Sequence, residues 1–354
     1  MNGALDFVCT SNPARIVFGT GSMARLADEL RAAGRRRALI LSTPFQRDAA
    51  MAMAARLGDL AAGIFAEAAM HTPMGVTDRA MAAYAAARAD CTVALGGGST
   101  IGLGKAIAWR NDAIQVVVAT TYAGSEVTPI LGQTEKGLKT TVRDPKILPE
   151  LVIYDPDLTL TLPIAMSVAS GLNAIAHAVE GLYAQDRNPI TALMAAEAIR
   201  ALRKALPAIV QAPRDIAARE QALYGAWLCG TVLGTVGMAL HHKLCHTLGG
   251  SFDLPHAETH AVLIPHTAAY NATAAHAQLA PAAALFGGDL GGGLWDFAQS
   301  LGAPMTLRTL GLREDDLDLA ADLAVKNPYW NPRPVERDAI RALLGRAWAG
   351  ERPE

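Results

Sequence analysis

Between residues 15 and 154 the chain alternates short β-branched, apolar runs with alanine- and leucine-rich stretches whose apolar positions follow a helical period. The runs at 15–18, 38–42 (ALILS), 62–65, 91–95 (CTVAL), 115–119 (QVVVA) and 151–154 (LVIY) predict strands; 22–33, 46–57 and 76–88 predict helices. Strands that are apolar on both faces and alternate with helices imply parallel βαβ units. They build a doubly wound, mostly parallel sheet that receives ligands beyond the carboxyl ends of its strands. From residue 163 the period is helical, over 165–185, 189–210, 216–238 and on through Trp348, so an all-helical second domain is expected. Turn chemistry in YDPDLTLTLP (154–163) places the boundary there, with 1–157 as the α/β domain and 158–354 as the helical one. Residues 286–293 (FGGDLGGG) read as a flexible loop between helices.

Composition narrows the classes. Hydrophobic residues make up 51% of 354, enough for a sizeable core, and 31 basic residues against 33 acidic ones leave a net charge of -2. Neither nucleic acid nor an anionic membrane is favoured as a partner. Arg35, Arg36 and Arg37 form a tight basic run, which reads as a solvated turn. Four separated cysteines contain no CxxC pair, so a reducing compartment fits better than a disulfide framework or a thiolate zinc site. The first residues lack a signal-peptide layout, and no apolar run reaches the roughly 20 residues of a membrane span. A cytoplasmic location is the expectation.

Two glycine loops compete for a dinucleotide. Gly19-Thr20-Gly21-Ser22-Met23-Ala24 follows a strand and opens a helix, but Ser42, Thr43 and Pro44 stand where a ribose-binding acid belongs, so a plain tight turn is the better reading. Gly96-Gly97-Gly98-Ser99-Thr100-Ile101-Gly102 lies between the CTVAL strand and a helix. Its glycines admit close approach of an anion, and the N–H groups and dipole of the helix start favour a diphosphate. The hydroxyl-rich loop Thr120-Thr121-Tyr122-Ala123-Gly124-Ser125-Glu126 follows the adjacent strand and suits ribose or nicotinamide.

The helical half concentrates polar chemistry. Asn173 and His177 are four apart, as are His242 and His246, and His256 follows in LPHAETH. Residues four apart share a helix face, so two helices aim four of these groups into one space, with His256 arriving from a following loop. An Asp in place of Asn173 would complete a site for a first-row metal; a neutral amide is a poor ligand for a hard cation, although three imidazoles can hold zinc. His241, His260 and His266 read as bystanders, the last as a possible helix cap.

Together, GGGS after a strand, a Thr-Thr loop ending in Ser-Glu-Val-Thr, the segment GLNAIAHAVE, HKLCHTLGG, LPH and a late Asn-Pro-Arg resemble the iron-containing alcohol dehydrogenase family over nearly the whole chain. The resemblance implies a dehydroquinate synthase-like fold: a dinucleotide-binding domain, a helical catalytic domain and an active site in the cleft between them. It also implies a homodimer. In metal-dependent members the ligands would be an Asp at position 173, His177, His242 and His256, with His246 a further active-site histidine. Asn173, Gly102 in place of an acid, the short threonine loop and the stretch Asn327-Pro328-Tyr329-Trp330-Asn331-Pro332-Arg333-Pro334 resemble instead the metal-free maleylacetate reductase branch.

That branch implies reduction of maleylacetate, or a substituted maleylacetate, to 3-oxoadipate with NADH or NADPH in aromatic-compound degradation. Ser42, Gly97, Gly98, Ser99, Thr120, Thr121 and Lys139 would contact the nucleotide. Hydride adds to the alkene carbon β to the ketone and the charge spreads into an enolate, which hydrogen-bond donors can stabilise without a metal. His177, His242 and His256 are the expected holders of substrate oxygens, and His246 the candidate proton donor. Asn173, Lys243, Tyr122 and Arg333 are candidates for the dicarboxylate. Without an acid after the second strand, a 2′-phosphate meets no repulsion there. The competing reading is a metal-dependent alcohol or polyol dehydrogenase of the same fold.

Overall fold

The structure, a computed structural model, describes Phe7, Cys9 and residues 14–135 and 138–354, without the side chains of 134–139. The described residues divide into two compact units, one ending at Leu162 and one spanning Pro163–Glu354.

In the first unit the order is β1 (Arg15–Phe18), α1 (Leu26–Ala32), β2 (Ala38–Leu41), α2 (Arg47–Leu57), β3 (Ala61–Phe65), α3 (Met74–Ala86), β4 (Cys91–Gly96), α4 (Gly98–Asn111) and β5 (Ile114–Ala119). The hairpin β6 (Ile130–Glu135) and β7 (Leu138–Arg143) follows, and then β8 (Leu151–Tyr154). Six strands form one parallel sheet in the order β1-β8-β5-β4-β2-β3. Strand side chains alternate between its faces. Ile40, Val93, Val118 and Ile153 pack with Leu26, Leu30 and Met53 of α1 and α2. Leu39 and Leu41 meet Ala80, Leu103 and Ile107 of α3 and α4 on the other face. The chain leaves β2 toward the β3 edge and leaves β4 toward β5, so the topological switch lies between β2 and β4. In an open α/β sheet that is where a ligand binds.

The β6–β7 hairpin was not legible in the sequence. ILGQTE and LKTTVR mix polar and apolar residues too evenly for a strand signal, and the pair is held by its antiparallel ladder and by Leu131 packing on Ala106 and Ile147.

The second unit is helical, as expected: α5 (Ile164–Tyr183), α6 (Pro189–Gln211), α7 (Ile216–Thr235), α8 (Leu240–Ser251), α9 (His256–Ala272), α10 (His276–Leu285), α11 (Leu290–Ser300), α12 (Leu317–Val325) and α13 (Arg337–Ala349). α5 is its axis, buried from Ser167 through Tyr183. Small residues permit this: a Cβ on Gly171 would strike Leu206 of α6, and one on Gly225 of α7 would strike Leu202.

Three expectations are corrected here. The glycine run at 286–293 is not all loop: α11 begins at Leu290, its first turn capped by Asp289 accepting from Gly292 N, and Gly291 lies where a Cβ would meet Ala269. His256 does not sit in a loop but is the first residue of α9. His266 caps nothing; it is buried inside α9. No single described helix is long and apolar enough to cross a membrane; α7 and α8 pass together only as a pair bent by 94°.

Candidate active site

At the switch point of the sheet, Ser42 directly follows β2, its hydroxyl buried and without a hydrogen-bond partner. Beside it β4 runs into Gly97, the N-cap of α4, and Gly98 in its first turn. A Cβ on Gly97 would lie 2.7 Å from Thr121, so only glycine lets the loops after β4 and β5 approach this closely. A Cβ on Gly98 would meet nothing within 4 Å, leaving open space at the helix start, where unpaired N–H groups and the positive end of the dipole suit a diphosphate. Ser99 follows on the same turn. Gln46 ties the loops together by donating to Thr120 Oγ1 at 3.2 Å.

The other glycine loop is otherwise engaged: Asp155 accepts from Gly21 N at 3.0 Å and Met23 N at 2.9 Å, consistent with a tight turn. Lys105, not singled out by sequence, is fully buried and donates to Ser125 O at 2.6 Å, Thr128 Oγ1 at 2.9 Å and Ile130 O at 2.8 Å. It anchors the far end of the loop that carries Thr120 and Thr121; burial, partly offset by Glu126, lowers its ammonium to about 7. Tyr122 is wholly buried. Lys139 lies in β7, its side chain outside the described residues.

In the helical unit one stripe of α5 carries Asn173, His177 and Glu180, spaced four and three apart. Asn173 Oδ1 and His177 Nδ1 are buried without partners. α8 contributes His242, its ring 5.1 Å from that of His177 and 6.0 Å from that of His246. Glu180 draws this together. Its carboxylate accepts from His242 Nδ1 at 2.6 Å, Ala239 N at 3.0 Å and His241 N at 2.7 Å, at the start of α8. Burial alone would raise the Glu180 carboxyl, but the bond to and charge of His242 bring it down to about 2, so it stays ionised. An ionised carboxylate only accepts, so His242 Nδ1 carries the hydrogen. Its Nε2 is buried and unpartnered.

His241 and His260 belong to this cluster, against the expectation of bystanders. Thr267 Oγ1 spends its hydrogen on carbonyls one turn back and receives His241 Nδ1–H at 3.0 Å. His241 Nε2 is then left to accept from His260 Nδ1 at 2.9 Å. His260 Nε2 is buried without a partner, and its ring lies 4.5 Å from that of His256 and 5.0 Å from that of His242. Burial, reinforced by neighbouring imidazoles, keeps His177 and His260 well below the usual histidine range. Burial brings His241 to about 3 against the pull of Glu180. These three rings are neutral at pH 7.

The segment after α12 straps this unit. His246 Nδ1 meets Tyr329 OH at 3.0 Å, and Asn331 pairs with Asn271 at 2.9 and 2.8 Å. Arg333 lies 4.0 Å over the Tyr270 ring and donates to Tyr270 O, so its guanidinium pins the strap. Lys243 donates to Lys326 O at 3.0 Å. The structure thus groups Asn173, His177, His242, His246 and His256, and engages Lys243 and Arg333 with the strap. Sequence reasoning missed Glu180, although its place on the stripe of Asn173 and His177 was a usable signal.

Family models match both units: "Iron-containing alcohol dehydrogenase" over residues 13–156 and "Fe-containing alcohol dehydrogenase family, C-terminal" over residues 167–348. The chain is 67% identical over 348 residues to a maleylacetate reductase of Rhizobium sp. (strain MTP-10005), covering 98% of this chain and 99% of that one. It is 56% identical to a maleylacetate reductase of Sphingobium indicum over 99% of both chains. The crystal structure of maleylacetate reductase from Agrobacterium tumefaciens is similar at a TM-score of 0.96 and 66% identity, covering 99% of this chain and 100% of that one.

Proposed function

The chain belongs to the iron-containing alcohol dehydrogenase family, and on that premise we propose that it reduces the carbon–carbon double bond of maleylacetate, or a substituted maleylacetate, to 3-oxoadipate. NADH or NADPH is the reductant, no metal takes part, and the step serves the degradation of aromatic compounds. The observation that carries this reading is Asn173: an unpartnered amide oxygen stands on the α5 stripe beside His177 where a metal-binding member needs a carboxylate. Identity with named maleylacetate reductases across the full chain supports it.

The residues fit the dinucleotide. The α4 start with the open space at Gly98, the close approach at Gly97, and Ser99, Thr120, Thr121 and Lys139 would hold its diphosphate and ribose groups. Ser42, with a free hydroxyl, would hold the adenosine side without excluding a 2′-phosphate. When bound, the cofactor would supply the hydride that the alkene carbon β to the ketone needs. His177, His242 and His256 hold the substrate's oxygens and the charge that develops on the ketone oxygen, and His246 delivers a proton to the carbon α to the ketone. Asn173 offers an amide to the dicarboxylate. The donor set fits a divalent cation poorly: the stripe has no free carboxylate, since Glu180 is engaged. Among the described residues, the trio whose ligand atoms lie within 4.8 Å of one another is instead His241, Cys245 and His260. The protein acts in the cytoplasm, as a homodimer of chains with domains at 1–157 and 158–354.

One observation favours the metal-dependent reading: a histidine that gives its Nδ1–H to a buried carboxylate, as His242 does to Glu180, is also the usual arrangement behind a metal-bound imidazole. Following NADH absorbance with maleylacetate against simple aldehydes, with and without a chelator, separates the two. Chelator-resistant turnover of maleylacetate is expected; near-stoichiometric metal, with activity lost on chelation, overturns the metal-free reading.

A further inference from the structure

Glu180 is buried to 0% exposure in the interior of α5, yet it is no inert core residue. Its two oxygens receive Ala239 N, His241 N, His242 N at 3.4 Å, His242 Nδ1 and Tyr183 OH at 3.3 Å. Three of these are backbone donors at the start of α8, where no side chain of α8 itself caps the helix. One carboxylate on α5 therefore does two things. It completes the first turn of α8, and it fixes the ring of a histidine on that turn. Neither an amide nor a hydroxyl can accept from all these donors at once.

We propose that Glu180 is the positioning residue of the active site: it receives the Nδ1–H of His242 and so turns Nε2 alone toward the substrate, and it sets the α8 turn that carries His242. The inference rests on the functional reading above, that the α5 and α8 histidines form the substrate site. Glutamine at this position can keep an acceptor for the backbone N–H groups, but its NH2 group then faces His242 Nδ1. That donor cannot accept Nδ1–H, so the ring loses both the bond that fixes its orientation and the carboxylate charge behind it.

The test is a double-variant cycle with full-length enzyme, NADH and maleylacetate, joined to a direct reading of the tautomer. Glu180→Gln is expected to lower kcat roughly 10- to 100-fold, the usual effect of losing a carboxylate behind a functional histidine, with NADH affinity within about threefold of the parent. In a His242→Ala background the same change is expected to do nothing further, because its partner is gone. An equal loss in both backgrounds overturns the proposal and leaves Glu180 a packing residue. If His242→Ala leaves turnover unchanged, both this proposal and the site assignment fall; if it slows turnover and Glu180→Gln does not, only the role of Glu180 falls. Nitrogen-15 chemical shifts of His242 in the unsubstituted enzyme need no variant to fold. A hydrogen on Nδ1 is expected, and a hydrogen found only on Nε2 overturns the proposal.

Discussion

His246 Nδ1 and the hydroxyl of Tyr329 stand 3.0 Å apart, joining α8 to the strap that follows α12 across 83 positions of sequence. The phenol fixes the ring of His246 through Nδ1. Tyr329→Phe keeps the ring and its packing while removing that bond. It is expected to lower kcat roughly tenfold, within the range for a partner of a general acid, with little change in the KM for NADH. Steady-state kinetics with each substrate varied in turn checks this; an unchanged kcat removes Tyr329 from the account.

Asn173→Asp restores the charge that a divalent cation needs, beside His177 and His242. The variant is expected to retain iron or zinc through purification where the parent does not. Maleylacetate reduction should fall at least about tenfold as a new negative charge faces a dianionic substrate. Metal content by mass spectrometry and NADH oxidation rates are the readouts, and a variant as metal-poor and as active as its parent contradicts the role given to the amide.

Gly98→Ala tests the nucleotide loop without touching protein packing, since its Cβ meets no protein atom within 4 Å. In the first turn of α4, alanine should hold or raise thermal stability, by up to about 1 kcal/mol. NADH affinity should fall tenfold or more if the diphosphate occupies that space. Thermal melts and NADH fluorescence titration give the two numbers. Unaltered affinity would place the diphosphate elsewhere.

His266 is buried with neither ring nitrogen partnered, and burial, with Arg346 adding to it, lowers its pKa to about 4 from 6.5. In the unfolded chain the ring takes up a proton near 6.5, so the folded state, which refuses it, binds fewer protons below that pH. The stability contribution is therefore complete above about 6.5 and is lost as pH falls through about 4. His266→Leu is expected to flatten that part of the stability profile by roughly 3 kcal/mol, at about 1.4 kcal/mol per pH unit. Urea titrations of both proteins at several pH values decide it, and parallel profiles would mean that the ring is hydrated or paired in solution.

Much of the site was written in spacing. Asn173 and His177 fall on one stripe because four residues nearly complete a helical turn, and GGGS falls between a strand and a helix because the apolar period changes there. Glu180 obeys the same spacing, but an acid in an apolar helix discloses no partner until Ala239, His241 and His242 arrive from α8. His241 and His260 looked incidental for a like reason: their bond joins residues 19 apart on separate helices. The β6–β7 hairpin escaped because its stability resides in cross-strand bonds rather than in a run of apolar residues.

Residue order alone establishes the parallel α/β unit, the helical unit, the glycine loop at Gly97 and Gly98 and the paired histidines, since period, turn chemistry and i,i+4 spacing are local properties of a chain. Which nitrogen each histidine presents, which carboxylate stands behind it, and whether a buried ring is neutral depend on contacts between helices distant in sequence. Burial and hydrogen-bond direction settle those, and both arise only when the helices pack.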